Sequence, residues 1–181
     1  MNLKKVNKNI HKSSQFALSK ELQYSKYLSP LGLLWIGLYQ NDLCIISKDI
    51  STIKKLNRYF SQFVEIQKLP SQLQKELDQY FAGKSREFHY PIHFFSGTEF
   101  EQKVWRALKT IPYGETRSYA WLAEEIGNPL AVRAVGGANG KNQIPIVIPC
   151  HRIILSNGKL GGYSGGLSFK KKLLELEGIT L

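Results

Sequence analysis

The segment NQIPIVIPCHRII, residues 142–154, carries the residues best suited to chemistry. Cys150 is followed directly by His151 and Arg152. The run Ile146-Val147-Ile148 predicts a buried strand that Pro149 ends, which leaves Cys150 at a strand end facing a pocket. A thiolate is the soft nucleophile that attack on saturated carbon requires, and adjacent cations lower a thiol's pKa. Consecutive residues of an extended chain point apart, so His151 would reach Cys150 through a bridging water. The same pair also fits a buried structural cysteine beside a surface histidine. Downstream, GKLGGYSGG (158–166) places five glycines around Tyr163 and Ser164. No Gly-Lys-Ser/Thr follows, so it is not a phosphate-binding P-loop. It suits either a loop that hugs a flat ligand or a flexible surface turn. LSFKKKLLELEG (167–178) reads as a helix with Leu173, Leu174 and Leu176 inward and Lys170–Lys172 outward; Glu177 near its end is either an orienting partner for His151 or simply a surface acid.

The elements that must position these groups are helical. Thr98 can cap a helix over 98–111, Glu101 stands three residues on, and Phe100, Val104, Leu108 and Ile111 line one face. Pro112 breaks it. Ser118–Gly127 predicts a second, short helix stopped by Gly127. Asn128 can cap a third, with Pro129 in its first turn, over Leu130–Gly140. Two short helices joined at Gly-Asn-Pro form either a helix-turn-helix or an ordinary helical hairpin. Composition favours an unusual version of the former. Ala131, Ala134, Gly136, Gly137 and Ala138 are small, and Arg133 is the one long cationic side chain. Each helical glycine costs about 1 kcal/mol relative to alanine, so the bare surface serves close approach. A nearly bare helix suits the minor groove, about 6 Å wide, better than base reading in the major groove.

The first half reads differently. Gly32–Lys48 is two apolar runs around Gln40-Asn41-Asp42, a hairpin. Pro70–Lys84 predicts a helix with Leu73, Leu77 and Phe81 inward, and Arg86–Phe94 an edge strand interrupted by Pro91. Phe95-Ser96-Gly97 is a join. The fold class is therefore α+β: residues 1–15 a disordered basic arm, 16–96 a small N-terminal sheet-plus-helix domain, and 97–181 a mainly helical catalytic domain containing the helix-turn-helix.

The 181-residue chain has a formal charge of +11 and a pI near 9.6. Between Gln102 and Lys172 eleven Lys or Arg face three acids, so the charge gathers where the motifs are. That points to a polyanionic partner, nucleic acid above all. No apolar run is long enough for a membrane span, and the Lys-bearing N-terminus lacks the apolar stretch of a secretory signal. Two cysteines, Cys44 and Cys150, without a CxxC pair, fit a reducing cytoplasm.

Four ordered motifs, IPYGETRSYAWLA, AVRAVGGANG, IPIVIPCHRII and LGGYSGGL, make the stretch from Thr98 to Gly178 resemble the O6-alkylguanine-DNA alkyltransferases, also called methylated-DNA–protein-cysteine methyltransferases. The resemblance implies stoichiometric, irreversible transfer of an alkyl group from O6-alkylguanine, and possibly O4-alkylthymine, in duplex DNA to Cys150. It implies that His151 takes the thiol proton through water, that Glu177 orients His151, that Asn142 bonds within the active-site turn, and that Tyr119 donates to the departing guanine. Tyr163, Ser164 and Ile153 would line the base pocket. Arg133 would fill the gap left by a nucleotide flipped from the stack, with Ala131, Ala134, Gly136, Ala138, Lys141 and Arg152 along the DNA. Gln143 departs from the proline usual after the active-site Asn. Some members bind zinc in the N-terminal half with two Cys and two His; here that half has only Cys44 with His11, His89 and His93, and His89 and His93, about 13 Å apart in a strand, cannot share one ion. No metal or cofactor is expected, and the protein is expected to be a monomer. A lesion binder without transfer would lack Cys150. A plain helix-turn-helix regulator would need neither the Pro-Cys-His-Arg segment nor the Gly-rich loop. A cysteine hydrolase would want a direct Cys–His pair and an oxyanion hole.

Overall fold

The computed structural model describes residues 20–181; the expected basic arm, and His11 with it, lie outside these. Three strands, β1 (Glu21–Ser29), β2 (Gly32–Tyr39) and β3 (Asp42–Ser47), form an antiparallel meander, and β4 (Gln62–Glu65) pairs parallel to β1, giving the order β3-β2-β1-β4. The β2–β3 hairpin turns where predicted. Gln40 and Asn41 both take positive φ, 52° and 70°, the signature of a two-residue turn whose twist matches the strands. Helix α1 (Ile50–Lys54) starts on the Asp49 cap and leads into a 3-10 turn, and α2 (Ser71–Phe81) packs Leu73, Leu77 and Tyr80 inward.

The segment 86–94 is not a strand. It contacts β3 only around Leu43, which donates to Pro91 O and accepts from His93 N, both at 2.9 Å. Pro91 has no N–H to extend a ladder. The strand geometry that separated His89 from His93 therefore does not exist; His93 packs on the Tyr39 ring and His89 pairs with Glu87. Among the described residues, no three of His, Cys, Asp and Glu are grouped as metal ligands, and no helix is long and apolar enough to cross a membrane.

The second half is built from α3 (Glu99–Leu108), α4 (Tyr119–Glu125), α5 (Val132–Gly140) and α6 (Leu167–Leu176), with a short parallel pair, β5 (Arg117–Ser118) and β6 (Ile153–Ile154). The capping box on α3 is complete: Thr98 Oγ1 accepts from Glu101 N, and Glu101 Oε2 accepts from Thr98 N. Ser118 caps α4, and Gly127, at φ 71°, ends it. Helix α5 begins later than predicted. Its N-cap is Ala131, and Asn128 serves instead as the carbonyl acceptor for Ala131 N in the turn. The main hydrophobic cluster runs from Leu34, Leu38 and Leu77 through Trp105 and Leu122 to Leu173, so both halves share one interior.

Candidate active site

The segment before Cys150 is a turn, not the predicted strand. Asn142 closes it: its Nδ2 donates to Ile148 O at 2.8 Å, and its Oδ1 accepts from Ile144 N at 3.0 Å. Inside, Ile146 takes φ 78°, a conformation that β-branched residues rarely adopt and that costs on the order of 1–3 kcal/mol. The side-chain bonds of Asn142 hold it there. Pro149 then leads into a single 3-10 turn, Cys150–Arg152, which presents three functional side chains in succession.

All three are buried, His151 completely. His151 Nε2 donates to Glu177 Oε1 at 2.8 Å, and Arg152 grips the same carboxylate with Nε and Nη2 at 2.8 and 2.9 Å. Arg152 Nη1 also donates to Ile111 O at 2.6 Å. Glu177 stands at the C-cap of α6 and receives a further bond, from the Tyr80 hydroxyl of α2, at 2.7 Å. Tyr80 escaped the sequence reading, although it lies at helical spacing from Leu73 and Leu77. Burial disfavours the Glu177 charge, but the bonds from His151 and Arg152 overcome this and draw its pKa down to about 2. Burial pushes His151 below the usual imidazole range, against the pull of Glu177, so the ring is neutral. Its Nε2 then carries the proton, and Nδ1 is a free base, buried and without a hydrogen-bond partner.

Three expectations are corrected here. Arg152 is buried in the carboxylate network and does not face DNA. Its charge is also matched by Glu177, so it does not lower the Cys150 pKa. Burial raises the thiol instead, and the side chains of Asn142 and Tyr163 and the Lys170 ammonium partly offset this. The resting group is a thiol, and a base must take its proton. Lys170, expected outward, is fully buried and donates to Ile153 O and Leu160 O. Burial lowers its pKa to about 8.

The remaining candidates divide. Tyr119 opens α4 near the site, its hydroxyl raised by burial and by Cys150. Tyr163 is half-buried, Ser164 exposed, and Ile153 wholly buried in β6. On α5, Arg133 and Ala134 are exposed and Ala131 half-exposed, and Gly136 faces the Tyr119 ring. Ala138 points into the interior, its carbonyl accepting from Trp105 Nε1 at 2.8 Å, and cannot line DNA. Gly137, with open space around it, takes its place on the outer face, as a 3.6-residue period from Arg133 requires. Lys141 is exposed and pairs with Glu101 at 2.5 Å.

A buried cysteine, histidine and carboxylate beneath a helix-turn-helix define a nucleophilic-cysteine protein of the DNA-binding kind. Comparison narrows the class. Residues 99–179 match the family model "6-O-methylguanine DNA methyltransferase, DNA binding domain". A methylated-DNA–protein-cysteine methyltransferase of Methanosarcina acetivorans is 42% identical over 157 residues, 87% of this chain and 99% of the relative. The crystal structure of Mycobacterium tuberculosis OGT in complex with DNA superposes with a TM-score of 0.76 at 42% identity, covering 86% of this chain and 92% of that one. The O6-methylguanine-DNA methyltransferase of Pyrococcus kodakaraensis KOD1 gives 0.66 at 27% identity, covering 87% and 99%. The chain belongs to the methylated-DNA–protein-cysteine methyltransferase family.

Proposed function

We propose that this protein repairs duplex DNA by transferring the alkyl group of O6-alkylguanine, and of O4-alkylthymine where it arises, to Cys150, once per molecule. The observation that carries this reading is a buried Cys150 in the same 3-10 turn as His151, whose Nε2 bonds Glu177 and whose Nδ1 is buried without a hydrogen-bond partner. A water between Nδ1 and the thiol passes the Cys150 proton to the imidazole. Glu177 fixes the tautomer and stabilises the imidazolium that forms. The sulfur attacks the alkyl carbon, the S–C bond forms as the C–O6 bond breaks, and the electron pair leaves on guanine. Tyr119 supplies the proton that the departing base takes up. A thioether has no internal group to release it, so the protein is spent.

The lesion reaches the thiol by leaving the stack. Ala131, Ala134 and Gly137 let α5 enter the minor groove, Arg133 occupies the vacated space, and Tyr163, Ser164 and Ile153 surround the extruded base. A single copy suffices, and the thiol needs a reducing compartment, the cytoplasm. The test is incubation with a duplex carrying O6-methylguanine followed by peptide mass mapping. The Cys150 peptide gains one CH2, with at most one methyl per protein. Repeated turnover, or methyl on Cys44, overturns the proposal.

A further inference from the structure

Tyr80 is wholly buried in α2, and its hydroxyl donates to Glu177 Oε1 at 2.7 Å. The ring packs among Phe81, Phe88 and Tyr113, with centroids 5.3, 5.2 and 6.0 Å away. A phenyl ring would fill that apolar space equally well, so the hydroxyl serves the carboxylate. Burial and the Glu177 charge push the phenol well above its usual range, so it stays protonated and remains a donor. The oxygen it meets is the one that His151 uses. Oε1 also accepts from His151 Nε2 at 2.8 Å and from Arg152 Nη2 at 2.9 Å. Oε2 accepts from Arg152 Nε at 2.8 Å and from Gly114 N at 3.4 Å. Among the described residues, Tyr80 is the one donor to this carboxylate that comes from the N-terminal half.

We infer that Tyr80 is a positioning residue of the transfer, through which the N-terminal half holds Glu177 for His151 and moderates its pull on the imidazole. The inference rests on Cys150 being the alkyl acceptor and His151 its base. The hydroxyl is a third donor on Oε1 and helps to fix that oxygen where the imidazole N–H meets it. It also spreads the negative charge over one more hydrogen bond, which weakens the attraction between Glu177 and a protonated His151. A base that must be unprotonated at rest and take its proton only in the reaction needs that restraint. The other groups facing the pair are Arg152 and Lys170, which both disfavour a proton on His151, and Tyr113. The Tyr113 hydroxyl is turned to Leu176 O at 2.8 Å, with Arg86 against its ring. The N-terminal half then contributes to the chemistry as well as to the fold, by way of one hydroxyl.

The experiment measures the second-order rate constant for benzylation of Cys150 by the free base O6-benzylguanine from about pH 5 to about pH 9, a range that brackets the titration of an imidazole. The free base keeps DNA affinity out of the readout. Tyr80→Phe retains the ring contacts and removes the hydroxyl. Its acid limb, where protonation of His151 stops the reaction, moves up by about half a unit to one unit, so the rate at the wild-type midpoint falls about two- to fivefold and the plateau changes less. Ring-nitrogen NMR shifts of His151 read the same midpoint without turnover. Tyr27→Phe is the matched control. It takes another buried tyrosine hydroxyl from a carboxylate of α2, Asp78 Oδ1 at 2.9 Å, which has no part in the relay. Its acid limb stays at the wild-type position even where its melting temperature falls. A Tyr80→Phe profile that superposes on the wild type, or that drops equally at every pH, overturns the inference, and so does a limb that moves as far in Tyr27→Phe. A wild-type protein that leaves Cys150 unmodified overturns the transfer reading itself, and the inference with it.

Discussion

The carboxylate of Glu177 is the most committed group in the molecule, bonded at once to His151, Arg152 and Tyr80. Its depressed pKa and that of His151 act in the same direction. Each folded-state value lies below its ordinary one, so each contributes stability that is present above the ordinary value and lost as pH falls through the folded one. Stability should hold above about pH 6.5, begin to fall as unfolded His151 gains a proton, and fall further below pH 4.5 toward about 2 as Glu177 follows. Thermal melts across this range check the order. Glu177→Gln leaves Arg152 buried without its counter-charge and should cost about 3–5 kcal/mol. His151→Ala should remain folded but transfer about 10²–10⁴-fold more slowly, the usual worth of a positioned base. Its rate should then climb with pH toward the raised thiol pKa, since hydroxide replaces the missing base. A His151→Ala protein with the wild-type rate and a flat profile would show that no relay operates.

At the scale of the element, α5 is an argument about subtraction. Arg133 is its one long side chain, with Ala134 and Gly137 beside it on the outer face. Extruding a nucleotide costs a few kcal/mol, and a side chain that fills the gap offsets part of this. Arg133→Ala should therefore lower repair in duplex DNA by about 10–100-fold, while reaction with the free base O6-benzylguanine, which needs no flipping, changes far less. Equal losses on both substrates would assign Arg133 to the pocket instead. The bareness of this helix was legible in the sequence because it is a matter of composition. So were the Thr98–Glu101 capping box, the Gln40-Asn41 turn and the Gly127 stop, each of which depends on side chains within a few residues. What escaped depends on distant partners. β1 hid because Ser25 and Ser29 occupy buried positions, weakening its alternation. Residues 146–148 read as a strand because apolar content does not reveal that Asn142 replaces the ladder. Lys170 and Arg152 read as surface cations because the carbonyls and the carboxylate that hold them come from other segments.

Those two cations also change the reading of the whole molecule's charge. Of the eleven Lys and Arg between Gln102 and Lys172, Arg152 neutralises Glu177 and Lys170 is enclosed, so neither is available to phosphate. Arg117, Lys141 and Lys171 each have an acidic partner within 4 Å. Six are left without one, Lys103, Arg106 and Lys109 along and just after α3, Arg133 on α5, Lys159 in the Gly-rich segment and Lys172 on α6. A helix-turn-helix footprint centred on Arg133 therefore reaches on the order of four phosphates, well below what the net charge implies. Each neutralised phosphate contributes a slope of about −0.9 to the dependence of log affinity on log salt, so the total should lie near −3.6, with binding weakening roughly a hundredfold between 50 and 200 mM salt. The same slope should appear on unmodified duplexes of unrelated sequence, because Ala131, Ala134 and Gly137 offer base edges nothing to bond. Fluorescence anisotropy across a salt series measures both. A slope near −9 would mean that most of the chain's cations wrap the duplex, and a slope near zero that charge plays no part. A strong preference among undamaged sequences would show that α5 reads bases in the manner of a regulator, and the close, unselective approach that base extrusion requires would then have no structural support.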